Sequence, residues 1–273
     1  MPWIPEPLMA EICQIFTDAD HRTRNDFSIN EVVNERDYLS RFLTLAAYPR
    51  VSGGNKYKGI YNISCSGDSV ERKHGIDALF AFKYNGEIKL AVCECKIEKP
   101  NFDNGRFARQ LNKQRRLLRA NPEIVAFEMF FHRQHRPPYD PHLSSICLLD
   151  QIDNYIRIAR GGRPITHWVL ADLDSLFTHL VPWPGFLNIG SLIWHLLECR
   201  IGIRIPESNY GARAASAAFN NREDGFMQAT RNLINNITGR DYNYTQVVEY
   251  CRTFDFDAIC CIDLNQVSSD RSL

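Results

Sequence analysis

The chain has 273 residues, 44% of them hydrophobic, which is enough to bury a substantial core within a single domain, 1–273. Its 32 basic and 32 acidic residues cancel to a formal charge of zero, so a strongly basic nucleic-acid binder is excluded at whole-chain level and any polyanion-binding surface must be local. Nine scattered cysteines exclude a disulfide scaffold, and their odd number predicts a reducing, cytoplasmic setting.

The first residues, MPWIPEPLMAEICQIF, lack the basic and long apolar regions of a signal peptide, and no later stretch is apolar for the ~18 residues a membrane span needs. No membrane partner is expected; export by an unrecognised signal stays open. From Ser28, SINEVVNERDYLSRFLTLAAY predicts a helix, with Ser28 as N-cap and Glu31 completing a capping box. Val32, Leu39, Phe42, Leu43 and Ala46 form its apolar stripe, and Glu35 falls inside that stripe. A carboxylate on a core-facing stripe needs a partner or a metal.

Residues 49–74 are rich in glycine, serine and charge and predict a long loop with one short strand around Ile60–Cys65. Two strand-like runs follow, 74–84 and 87–96, joined by Asn85-Gly86. As a two-residue turn, Asn-Gly pairs Tyr84 with Glu87 and, further out, Asp77 with Glu94, whose Cβ atoms would then lie roughly 4.5–5.5 Å apart. The period of two puts Lys96 on the same face as Glu94 and turns Cys93 and Cys95 the other way. Leu79, Ala81, Leu90 and Val92 share one face; Phe80, Phe82, Ala91 and Cys93 share the other. A hairpin apolar on both faces predicts helices on both sides of a mixed α/β sheet.

After Pro100 and a turn, a helix is predicted from about Arg106 to Ala120 with a stripe of Phe107, Leu111, Gln114 and Leu118 and with Gln110 near its edge. Six basic residues and no acidic one lie between Arg106 and Arg119. EIVAFEMFF then reads as a strand, giving β-β-α-β. Beyond Pro137, 144–150 and 166–173 predict strands, 191–201, 230–238 and 244–254 helices, and 256–264 a strand. This half could extend the sheet, build a recognition surface or form a dimer contact.

Asp77 followed after a hairpin by Glu94-Cys95-Lys96 resembles the Asp…Glu-x-Lys signature of the PD-(D/E)xK nuclease superfamily, over roughly residues 28–135. Ile76 stands where that signature has proline. The resemblance implies a restriction-endonuclease-like mixed β-sheet core flanked by helices, here with an elaborated C-terminal half at about 136–273. It also implies metal-dependent hydrolysis of phosphodiester bonds, in DNA for most members. Asp77, Glu94, the backbone carbonyl of Cys95 and Glu35 would hold Mg²⁺ or Mn²⁺. Lys96 would orient or deprotonate the attacking water, and Gln110, nearer the expected centre than Gln114, would complete the site. Arg106, Arg109 and Lys113 would contact phosphates, and two copies could assemble to cut both strands.

The bland readings are a satisfied core carboxylate for Glu35, a sheet-edge acidic pair for Asp77 and Glu94, an ion pair for Lys96 and a solvated helix face for the arginines. The alternative function is a catalytically inactive module of this fold that binds nucleic acid or protein. Zinc ligation by Cys93-x-Cys95 with Cys65 or by Cys260-Cys261, a His132, His135 and His142 cluster, and a cysteine hydrolase are rival readings with no matching local motif.

Overall fold

The computed structural model of the chain describes residues 2–48, 57–64, 75–97, 103–131, 142–180, 188–206, 225–239, 243–254 and 256–269. Within them a seven-stranded mixed sheet separates two layers of helices. The hairpin organises it. Asn85 (φ 47°) and Gly86 (φ 76°) both take the left-handed conformation that a type I′ turn requires, and Tyr84 pairs with Glu87 as the turn dictates. β2 (Ala78–Tyr84) and β3 (Glu87–Ile97) run antiparallel from there to Ala78 opposite Cys93. Each strand sends alternate residues into the two layers predicted for it.

One layer contains α1 (Glu6–Ser28), α2 (Glu35–Ala47) and α6 (Ile189–Leu197), packed on Phe80, Phe82, Cys93, Cys95, Phe127 and Met129. The other contains α3 (Gly105–Ala120), α4 (Leu149–Ala159), α5 (Leu170–Leu180), α7 (Gly225–Thr238) and α8 (Tyr244–Phe254), packed on Leu79, Ala81, Leu90 and Val92. α3 crosses from β3 to β5 (Val125–Phe131), which lies parallel to β3, as a strand-helix-strand connection of this length favours. Antiparallel β6 (Ser145–Leu148) follows β5.

The C-terminal half is woven into the sheet. β9 (Ala258–Asp263) sits between β1 (Ile60–Ser64) and β2, antiparallel to the first and parallel to the second. β8 (Ile205–Pro206) pairs with the start of β3. The segment 28–135 is therefore not a closed sheet by itself. A short ribbon of β4 (Asp103–Asn104) and β7 (Trp168–Val169) ties the head of α3 to the C-terminal half, and α9 (Leu264–Ser269) closes the described chain. No helix among the described residues is long and apolar enough to cross a membrane.

Several expectations are corrected. Ser28 is not an N-cap: it is the last residue of α1, its hydroxyl donates to the Asn25 carbonyl at 2.7 Å, and the chain breaks at Asn30 (φ 62°). Asn34 caps α2 instead, its side chain accepting the Asp37 N–H at 2.9 Å. α1 itself was not predicted. Of 144–150, the last two residues already belong to α4, whose Gln151 side chain accepts the Leu148 N–H at 2.9 Å. Of 166–173, only Trp168–Val169 is strand; the Asp172 carboxylate accepts the Val169 N–H at 3.1 Å and starts α5. Most of 49–74, together with His132 and His135, lies outside the described residues.

Candidate active site

β3 outruns its neighbour. β2 begins at Ala78, opposite Cys93, so the Cys95 and Ile97 N–H groups lose the strand that would have accepted them. Two predicted site residues fill the gap. The Asp77 carboxylate accepts the Cys95 N–H at 2.5 Å, and Glu35, the half-buried first residue of α2, accepts the Ile97 N–H at 3.0 Å. The Asp77 N–H donates to the Cys93 carbonyl at 2.7 Å, while its own carbonyl accepts from Asp257 and Ala258 at the entry to β9. The expected ladder pair of Asp77 with Glu94 is thus replaced by a side chain turned toward the frayed edge of β3. The N–H and C=O of one strand residue point to the same side, so the Cys95 carbonyl also faces Asp77.

Glu94 and Lys96 stand on the sheet face covered by α3, both buried. Lys96 Nζ donates to Glu94 Oε1, and Gln110 Nε2 donates to the same oxygen at 2.5 Å. Burial pulls the Lys96 ammonium down, but attraction to Glu94, Glu35 and Glu128 outweighs it, so the net shift is upward and the group stays charged. Its ammonium also lies 6.0 Å from the centre of the Phe107 ring.

The site contains one carboxylate the sequence reading missed. Parallel pairing of β3 with β5 aligns Glu94 with Glu128, which is fully buried. Neither Glu128 oxygen finds a hydrogen-bond donor, nor does Glu94 Oε2. Burial, then repulsion from Glu94, pushes the Glu128 carboxyl up to about 8, opposed by Lys96 and by the nearby Gln114 and Arg115. Its signal was in the sequence: Glu128 is the one charge in VAFEMFF.

A close backbone approach sets the position of α3 over this pocket. Gly75 has φ +65°, and a Cβ there would lie 2.9 Å from Gln110 Cα and 3.0 Å from the Gln110 carbonyl oxygen. Gln114 Nε2 donates to the Gly75 carbonyl at 2.8 Å. Both glutamines therefore face the sheet, with Gln110 on Glu94 and Gln114 on the entry to β2. Arg106 and Arg109 are exposed and Lys113 is half-buried.

The structure thus joins Glu94, Lys96 and Gln110, adds Glu128, and places Asp77 and Glu35 on the adjoining strand edge. Among the described residues, no three His, Cys, Asp or Glu side chains converge closely enough to hold a metal as a group. The donors available to a cation are three buried carboxylate oxygens without hydrogen-bond partners, one on Glu94 and two on Glu128. Hard oxygen donors of this kind suit Mg²⁺ or Mn²⁺, which retain water in part of their coordination sphere.

The rival cysteine readings find no support. Cys93 and Cys95, with sulfurs 3.9 Å apart, are buried on the opposite face, and burial pushes the thiols of Cys93, Cys95, Cys147, Cys260 and Cys261 up, which keeps them neutral. Cys251 is disulfide-bonded, against a wholly reduced set. No family model, curated protein or solved structure matches the chain.

Proposed function

We propose that the chain is a divalent-metal-dependent nuclease of the PD-(D/E)xK type, hydrolysing phosphodiester bonds in DNA. One observation carries this reading: the buried Glu94 and Glu128 carboxylates, with three oxygens lacking any donor, lie beside the Lys96 ammonium. Burial and Glu94 keep a proton on Glu128 in the empty pocket, and a bound divalent ion would displace that proton and take both carboxylates as ligands.

Glu94 and Glu128 would hold the metal, with the Cys95 carbonyl and the second oxygen of Asp77 at its margin. Bound there, Mg²⁺ would supply a water of lowered pKa and neutralise charge developing on the phosphate. The chain's own groups do the rest. Gln110 and Lys96 fix Glu94 Oε1, so that carboxylate presents its other oxygen in one orientation. Lys96, held cationic, offsets negative charge at the reacting phosphate and orients the water. Asp77 and Glu35 keep the end of β3 extended, which holds Glu94 and Lys96 on a common face.

The test is incubation of purified protein with plasmid and single-stranded DNA in Mg²⁺ or Mn²⁺. Cleavage is expected, and Asp77→Asn and Glu94→Gln should remove it. Asn at 77 keeps an acceptor for the Cys95 N–H, so loss of activity there reports on charge and not on unfolding. Undiminished cleavage in both variants would overturn the site assignment.

A second reading has its own observation. Lys96, Gln110, Asp77 and Glu35 are each already engaged inside the fold. That self-contained network favours an inactive module of the same architecture that binds nucleic acid or protein without cutting. Absence of cleavage together with absence of metal binding would select it.

A further inference from the structure

Two acid-free stretches, far apart in the chain, form the walls of one groove. α3 carries six basic residues and no acidic one from Arg106 to Arg119; residues 154–171 carry Arg157, Arg160, Arg163 and His167, again without an acid. The pairing of Asn104 with Trp168 and the contact of Arg115 Nε with the Asp153 carboxylate at 2.9 Å hold the two stretches together. Between them lies a groove of about 390 Å³ whose lining includes Arg109, Arg115, Arg157, Ile156 and Ile165, with Asp153 as its one acid. A second hollow of about 700 Å³, lined by Arg160, Arg163 and His167, continues it along the same 164–166 wall.

The charge here is real excess. Asp153 holds Arg115 and Asp172 holds Arg160, at 2.7 Å in the second case. Arg109, Arg157 and Arg163 are exposed and pair with no carboxylate among the described residues, in a protein whose total charge is zero. The groove lies within electrostatic reach of the carboxylate pocket: Arg115, on its wall, acts on the Glu128 carboxyl. At the head of α3, a Cβ on Gly105 would lie 3.4 Å from His167 Nδ1 and 3.8 Å from an Arg109 guanidinium nitrogen, so both walls meet there.

We propose that this groove carries the sugar–phosphate backbone of a nucleic-acid strand, with Arg109 on one wall and Arg157 and Arg163 on the other as phosphate contacts. Guanidinium groups spaced along both walls match a repeating anion, and the Ile156 and Ile165 side chains offer an apolar surface to sugars. The proposal rests on the nucleic-acid substrate of the preceding section and on none of its metal chemistry.

Fluorescence anisotropy of labelled single-stranded and duplex DNA, with chelator present to prevent cleavage, tests it. Wild-type binding is expected to weaken with salt, and Arg157→Gln and Arg163→Gln each to lower the slope of log affinity against log salt by about one while melting as wild type does. Arg200→Gln, on the opposite helical layer, should leave binding unchanged. No binding by wild type, or groove variants that bind as wild type does, overturns the proposal. If groove variants bind normally while Asp77→Asn abolishes cleavage, the groove falls and the nuclease reading stands. If binding is lost in the groove variants but wild type cleaves nothing in Mg²⁺ or Mn²⁺, the groove stands and the nuclease reading falls.

Discussion

Glu94 and Glu128 are register partners on adjacent parallel strands, both buried, and they share the neighbourhood of a single ammonium. Lys96 and Gln110 both donate to one Glu94 oxygen, so Glu94 is the compensated member. Glu128 has no donor at either oxygen and is pushed toward its neutral form. The pair is therefore asymmetric: Glu94 is anchored by two donors, while Glu128 is only weakly compensated by Lys96, Gln114 and Arg115 nearby.

The asymmetry has a pH signature. Burial and Glu94 raise the Glu128 carboxyl from its ordinary 4.5 to about 8, so between those values the folded chain holds a proton that the unfolded chain releases. In the absence of metal, stability should fall as pH rises through this window and level off above it. Glu128→Gln should flatten the dependence and, at about pH 9, stabilise the fold by on the order of 1–3 kcal/mol, the pair's titration being shared. Urea unfolding in the presence of chelator measures both. A wild-type stability that stays level across the window would mean Glu128 is ionised in the fold.

Gly75→Ala is expected to damage the site from behind. The residue needs φ +65°, and its added carbon would meet the Gln110 backbone at 2.9 Å, a contact that no side-chain rotation relieves. The fold should lose about 1–3 kcal/mol, and α3 should shift away from β3, loosening Gln110 from Glu94. Thermal melting and the cleavage rate should fall together. Wild-type values for both would show that α3 tolerates the extra carbon.

How much of this was legible follows particular residues. Asn85-Gly86 fixed the register, and with it the faces of Phe80, Leu79, Glu94 and Lys96, because a two-residue turn leaves one pairing open. What lay beyond was tertiary. The place of β9 between β1 and β2 depends on a pairing about 180 residues long in sequence, and no local pattern encodes it. Ser28 satisfied the capping rule yet ends a helix, since the apolar spacing of Leu8, Ile12, Phe16, Ala19 and Phe27 runs straight through to it. That spacing was readable. A charge on an apolar stripe is harder to interpret: Glu35 bonds a strand edge, while Asp20, equally intrusive in α1, simply accepts from Tyr38 and Ser144. Their sequence contexts look alike, and only the partners differ.

Lys89 gives a stability test remote from the chemistry. Fully buried on β3, it donates to the carbonyls of Leu196, Ile201 and Gly202 at 2.6, 3.1 and 3.2 Å, closing the end of α6. Lys89→Met keeps the stem and removes the donor, leaving those carbonyls without the ammonium. A loss of about 2–4 kcal/mol is expected in chemical unfolding, with cleavage per folded molecule unchanged. An equal loss of activity and stability would instead tie α6 to the reacting end of β3.

Metal binding separates the nuclease from the inactive module without relying on turnover. If Glu94 and Glu128 hold a divalent ion, Mn²⁺ at a hundredfold excess over its dissociation constant should stabilise the fold by about 2.7 kcal/mol, a rise of a few degrees in melting midpoint. Glu94→Gln and Glu128→Gln should each shrink the rise, because each removes a charged oxygen donor. Glu35→Gln should preserve it, since the Glu35 carboxylate is engaged with the Ile97 N–H and a glutamine can still accept that bond. A midpoint indifferent to Mn²⁺ in wild type would mean that Lys96 alone compensates the carboxylates, and would leave the binding module as the reading of this site.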